Sequence, residues 1–213
     1  MYLTRFQLNP GRINTGNLLR NPRAARAAVL STMPGESTTD DGRTLWRIDS
    51  IDHRHFLYIV SPTAPDLTGL IETSGWPTRP DAIAQTREYT PLLNKLTNGQ
   101  RWQFRLTASP VDRHGQQIIR HRTHTDRLAW LDKHATKAGF TIPRYLDEPD
   151  VKITGMRPHR FGHDAGGKVT IHTTTFTGHL DITNADTLRA ALTHGIGRSR
   201  AYGCGLLTLA PPK

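Results

Sequence analysis

Turn and period signals run through the same order of elements twice, and that repetition constrains the fold more than any other feature of the chain. Tyr2 to Leu8 reads as a strand, loosely alternating, and "NPGRINTGN" after it as a turn-rich loop. In "NPRAARAAVLSTMPG", Asn21 is placed to cap a helix, Pro22 to take its first position and Pro34-Gly35 to stop it. Strands are expected over Arg43 to Ser50 and His55 to Ser61, then a short helix near Asp66 to Thr73 and a strand near Ala82 to Tyr89. "TPLLNKLTNGQ" reads as a connection punctuated by Pro91 and Asn98-Gly99. The second pass starts with a strand in "RWQFRLTASPV" and a helix in "TDRLAWLDKHATKAGF", with Leu128, Trp130 and Leu131 on its apolar side. A long hairpin turning near Asp164 to Gly167 follows. A helix over Ala185 to His194 lies between the Asn184 cap and the Gly195 stop, and a strand from Gly203 to Ala210 closes the chain.

The order is β-α-β-β-α-β each time, which predicts an α+β chain of two tandem ferredoxin-like domains. The boundaries fall at residues 1–90 for the first domain, 91–100 for a linker and 101–213 for the second domain. One irregularity interrupts the pattern. Val169 and Ile171 are apolar at odd positions, whereas Phe176, Leu180 and Ile182 are apolar at even ones. A bulge in Thr173 to Thr175, or a hairpin projecting beyond the sheet, would account for the switch. The projecting part would carry Arg157, His159, Arg160, His163 and Lys168. Such a basic hairpin is either a nucleic-acid contact or a solvated surface.

The formal net charge of +10 over 213 residues points to an anionic partner, nucleic acid or a membrane surface. Lysine occurs only at 95, 133, 137, 152, 168 and 213, so arginine dominates and favours bidentate phosphate contacts. There is no apolar run of the ~18 residues a membrane helix needs, and "MYLTRFQLNP" does not read as a signal peptide. A cytoplasmic protein with no membrane partner is therefore expected. The single cysteine, Cys204, excludes an internal disulfide and reads as small-residue packing between two glycines.

"HGIGRSRAYGCGLL" combines bare backbone with Arg198 and Arg200. It follows a helix instead of preceding one, so it is not a P-loop, and an anion there must be held by arginines and backbone amides. A tight helix-to-strand connection needing no ligand would use the same glycines. Arg20, Arg23 and Arg26 gather near the start of the first predicted helix, where cations oppose the macrodipole unless an anion offsets them. The histidine pairs of "HRH" at 53–55 and "HRTH" at 121–124 lack carboxylate or cysteine partners at ligand spacing, so no metal and no cofactor is expected.

Together "MYLTRFQLNP", "FRLTASPV", "LAWL" and above all "GIGRSRAYGCGLLTLAP" resemble CasE, the CRISPR repeat endoribonuclease family of the type I-E Cascade complex, over essentially the whole chain. The resemblance implies metal-independent cleavage of precursor CRISPR RNA at the base of the repeat stem-loop. The 2′-hydroxyl attacks the adjacent phosphate, leaving a 2′,3′-cyclic phosphate and a 5′-hydroxyl, and the protein stays on the product as a subunit beside the other Cascade proteins. It also implies that the stem is gripped by the glycine-rich loop, here Gly195, Gly197, Arg198, Ser199, Arg200, Gly203 and Gly205. The basic hairpin, here Arg157, His159, Arg160 and Lys168, would grip it as well.

The family usually carries a catalytic histidine four residues after the proline of an "NP" turn, sometimes with a tyrosine one residue after it. Here "NPRAAR" puts Arg26 and Arg23 at those positions. Arginine stays protonated and is no ordinary general base, but it orients a nucleophile and stabilises charge on a pentavalent transition state. His194 is a candidate for moving the proton. The rival reading is a subunit that caps the RNA without cutting it. A DNA-binding or metabolite-sensing ferredoxin-like module would leave the arginine-rich hairpin unused.

Overall fold

In the computed structural model, which describes residues 1–78, 84–115, 117–162 and 167–212, alternation along the first strands is translated directly into a sheet with one face on a core. The strands β1 (Tyr2–Leu8), β2 (Leu45–Ile51), β3 (Arg54–Ser61) and β4 (Gln85–Glu88) form an antiparallel sheet in the order β2-β3-β1-β4. That is the strand order of a ferredoxin-like domain. The β1–β3 register runs from Tyr2 opposite Ser61 to Leu8 opposite His55, so Phe6, Leu8, Leu57 and Ile59 share a face. Trp46 of β2 joins them. Against that face pack Leu18, Ala25 and Val29 from α1 (Ile13–Arg20) and α2 (Pro22–Leu30), and Leu70 from α3 (Thr68–Ser74). Each buried leucine, isoleucine, valine or phenylalanine of this core contributes roughly 1.5–3 kcal/mol relative to exposure.

The loop expected at "NPGRINTGN" is therefore corrected: most of it is α1, which abuts α2 through Asn21. Gly16, Asn14 and Asn17 disfavour a helix locally, and no side chain caps its start. Burial of Leu18 and hydrogen bonds from Thr15 Oγ1 to the Ser74 carbonyl and from Asn14 to Ser74 Oγ override that preference. Of the fourth expected strand, Gln85–Glu88 is observed, while Ala82 lies outside the described residues. The connection expected over 91–100 begins inside a short helix, α4 (Thr90–Asn94), and buries Leu93 and Leu96.

In the second half, β5 (Arg101–Ala108) leads into a hairpin that the sequence pattern did not disclose, β6 (Val111–His114) and β7 (Gln117–Arg120). The helix α5 (His124–Lys137) follows, opened by a capping box in which Thr123 and Asp126 satisfy each other's backbone amides. The long strands β8 (Val151–Gly162) and β9 (Lys168–Ile182), the helix α6 (Ala185–His194) and β10 (Leu207–Ala210) complete the unit. Four strands of the sheet run in the ferredoxin-like order β8-β9-β5-β10, and the short strand Phe140–Thr141 adds a fifth by pairing with β9. Its core holds Phe104, Leu106, Trp130, Phe140, Phe176 and Leu188. The closing strand starts at Leu207 instead of Gly203, because the glycines before it are occupied in the loop described below.

Pairing of β9 with β5 begins only at Thr174 opposite Ala108, so the β8–β9 hairpin does project beyond the central strand. The burial phase changes where this support ends, with Ile171 buried on one side and Thr174 and Phe176 on the other. Two compact units result. The first comprises Met1–Asn94 with His159–Thr170 and Ala201–Gly203; the second comprises Lys95–Pro158, Ile171–Arg200 and the chain from Cys204 onward. The hairpin tip and three loop residues thus belong with the N-terminal half, a division no linear boundary expresses. Among the described residues, no helix is long and apolar enough to cross a membrane.

Candidate nucleic-acid interface

The chain from Gly195 to Gly205 holds positive φ at Gly195, Gly197, Ser199, Gly203 and Gly205. What its bare positions accommodate is protein. A β-carbon at residue 197 would stand 3.0 Å from Cζ2 of Trp130, and one at residue 203 would stand 2.8 Å from Cζ3 of Trp46. Within the loop the Ile196 amide donates to the Gly205 carbonyl at 2.9 Å, and the Gly205 amide donates to the Thr107 carbonyl at 2.8 Å. A tight, braced connection is therefore built here, whatever it also binds.

The two arginines of the loop differ in what they do. Arg200 is half-buried and donates from Nη1 to the carbonyl of His194 at 2.8 Å, offsetting the negative end of α6. Arg198 is exposed. His194 sits at the same helix end, with Nδ1 within hydrogen-bond distance of Thr193 Oγ1 (3.0 Å) and of the Ala190 carbonyl (3.2 Å).

Strand alternation sorts the hairpin. Arg157, His159 and Phe161 share one face of β8, and Arg160 stands on the other. Arg157, Arg160 and Lys168 are exposed, His159 is half-buried, and His163 lies outside the described residues. Phe161 is buried and packs on Tyr202 with ring centroids 4.9 Å apart. Tyr202 therefore links the glycine loop to the basic hairpin inside one compact unit. Neither aromatic is singled out from the sequence; the alternation of β8 is the available signal for Phe161, and "AYG" alone says nothing of Tyr202.

At α2, the Asn21 side chain accepts from the amides of Arg23 and Ala24, as a helix cap should. Arg23 and Arg26 are exposed, and no acid lies in that first turn. Arg20 closes the last turn of α1, where a cation is favourable, so the expected clash of three arginines with one dipole reduces to Arg23 in the first turn. The positive helix end and its guanidinium suit an anion.

Cys204 is fully buried, and burial pushes its thiol up to about 12, which leaves it protonated and unreactive. Among the described residues no three His, Cys, Asp or Glu side chains are grouped as a metal site would require. His121 instead contacts Asp112, whose carboxyl also accepts from Lys133 and is held below the usual carboxylate range chiefly by that bond.

Two tandem ferredoxin-like domains with a basic hairpin and a glycine-rich loop define the class, and the chain belongs to the family described as CRISPR associated protein, whose pattern matches residues 1–211. It is 26% identical to the CRISPR-associated endoribonuclease Cse3 of Thermus thermophilus over 99% of this chain and 100% of that one. A stretch of 86 residues, 40% of this chain and 39% of the other, is 35% identical to the Cascade subunit CasE of Escherichia coli K12. The fold matches the solved structure of CRISPR endoribonuclease Cse3 bound to 19 nt RNA with a TM-score of 0.81, at 24% identity, over 99% of this chain and 100% of that one.

Proposed function

We propose that this chain is a metal-independent endoribonuclease that cuts precursor CRISPR RNA at the base of the repeat stem-loop and remains on the product as a Cascade subunit. The observation that carries the reading is the full-length relationship to a protein named as a CRISPR endoribonuclease, together with the exposed cations of the β8–β9 hairpin. The relative named as a Cascade subunit supports the assembly, and the structure of Cse3 with RNA supports RNA as the ligand.

In the proposed reaction the 2′-hydroxyl upstream of the scissile phosphate attacks phosphorus, and the bond to the 5′-oxygen breaks. The products are a 2′,3′-cyclic phosphate and a 5′-hydroxyl. Arg23 and Arg26 hold the phosphate and stabilise the charge that builds on its oxygens, while water or His194 moves the proton. The stem is held by Arg157, His159, Arg160 and Lys168, and by the loop from Gly195 through Gly197, Arg198, Ser199, Arg200 and Gly203 to Gly205. An A-form stem hides its bases in a narrow groove, so contacts are chiefly to phosphate and 2′-hydroxyl.

The second reading, capping without cutting, is favoured by Arg26 standing where the family pattern has a histidine: loss of an acid-base group costs about 10² to 10⁴ in rate. One experiment separates the two. The protein is incubated in EDTA with its repeat RNA and with the same RNA carrying a 2′-deoxy substitution at the cut site. Cleavage of the first alone supports the nuclease, and an Arg26→Ala variant that cuts at the wild-type rate removes Arg26 from the mechanism. Tight binding without cutting of either RNA assigns the capping role.

A further inference from the structure

A second group of cations lies on the first sheet. The β1–β3 and β2–β3 registers put Arg5, Gln7, Phe56, Tyr58, Arg47 and Asp49 on the face opposite the helix-covered core. One end of that face is closed, with Leu45, Arg47 and Val60 buried and the Arg47 guanidinium paired to Asp49 through two bonds of 2.8 and 2.9 Å. At the other end Arg5 and Arg54 are exposed and both stand over the ring of Phe56, with guanidinium carbons 4.3 Å and 5.9 Å from its centroid. Neither is in an ion pair among the described residues. Asp49, the acid directly opposite Phe56, is already neutralised by Arg47.

An arginine lying on an aromatic ring is pre-oriented: the ring holds the planar fork in place while its outer surface faces solvent. Such a plane accepts a nucleobase by stacking, and a neighbouring guanidinium accepts the phosphate that accompanies it. A paired stem cannot use this surface, because its bases already stack on each other. We propose that the Arg5–Phe56–Arg54 stack is a single-strand RNA subsite that takes an unpaired nucleotide flanking the stem-loop, Arg5 stacking on the base and Arg54 holding phosphate. This rests on the RNA-binding reading above.

The test uses the full chain and two RNAs, the repeat stem-loop alone and the same stem-loop with an unpaired oligouridine extension, binding being followed by fluorescence anisotropy. The extension is expected to tighten wild-type binding by about 5- to 100-fold, the range for a stacked base. Arg5→Ala should erase most of that gain while leaving stem-only affinity within about twofold, and Arg5→Lys, which keeps the charge but not the plane, should erase it too. Arg5 is exposed, and circular dichroism checks that both variants are folded. An equal loss for both RNAs, a gain restored by lysine, or no wild-type gain at all overturns the subsite; the last of these leaves the patch to an acidic protein partner. Failure of the wild-type chain to bind even the stem-loop overturns the RNA reading itself, a distinguishable result.

Discussion

The indole of Trp46 fills the space in which residue 203 would carry a side chain, 2.8 Å from where its β-carbon would stand, and Gly203 also holds φ at +79°. Gly203→Ala is therefore predicted to lose about 2–4 kcal/mol, from steric overpacking and a left-handed backbone together. Gly99→Ala supplies the comparison, with φ at +83° and nothing within 4 Å, and should lose only about 1 kcal/mol. Denaturant midpoints measure both. Equal losses would show that the indole contact costs nothing.

Arg200 and Arg198 should separate by assay. Because Arg200 donates to the His194 carbonyl at the end of α6, Arg200→Ala is predicted to lower stability by about 1–2 kcal/mol before any RNA is added. Arg198 is exposed, and Arg198→Ala should leave the melting temperature unchanged while weakening RNA binding and its salt dependence. A destabilised Arg198 variant beside a stable Arg200 variant would reverse these assignments.

The Phe161–Tyr202 contact predicts coupling between the loop and the hairpin. A double-mutant cycle of Phe161→Ala and Tyr202→Ala, read as unfolding free energy, should give about 0.5–1.5 kcal/mol of interaction. In RNA titrations each single variant should show a shallower dependence on salt, by about one phosphate for every hairpin cation that loses its place. An unchanged slope would mean that the cations find the phosphates without this support.

His134 predicts an acid-sensitive step in stability. Its ring stacks on Trp130 at 4.0 Å, and burial, outweighing its bond to the Trp130 carbonyl, holds its pKa below the usual histidine value. The fold prefers the neutral ring, so this contribution is complete above the unfolded value of about 6.5 and is lost as pH falls through the folded value. Asp112 and Asp181 are also lowered, chiefly by bonds from Lys133 and Arg101, and their contribution is lost only at more acid pH. Unfolding curves from pH 8 to 5 should show a decline that His134→Gln removes; a decline that persists in that variant refutes the assignment.

Elements announced by local chemistry were legible in the sequence. The cap and first position of α2 at Asn21 and Pro22, and the start and stop of α6 at Asn184 and Gly195, depend on side-chain bonds and backbone angles within a few residues. What depends on distant partners was not. The helix α1 exists because Leu18, Thr15 and Asn14 meet the sheet and Ser74, and the β6–β7 hairpin has short strands with little apolar alternation. The basic residues of the candidate interface could be counted, but not sorted into Arg198, which faces solvent, and Arg200, which ties down a helix end. The glycines were visible, yet Trp46 and Trp130, which require two of them, lie far away in the chain.

The membership of Ala201–Gly203 in the first compact unit bears on how the chain matures on the ribosome. Trp46 is translated well before Gly203, the residue that covers its ring edge. A nascent chain can assemble the first sheet and its helices before it receives this closing piece, so that sheet waits with an aromatic edge uncovered until Gly203 has been made. Completion of the fold is thereby tied to translation of the loop itself, and a chain cut short before it would present that edge to whatever it meets.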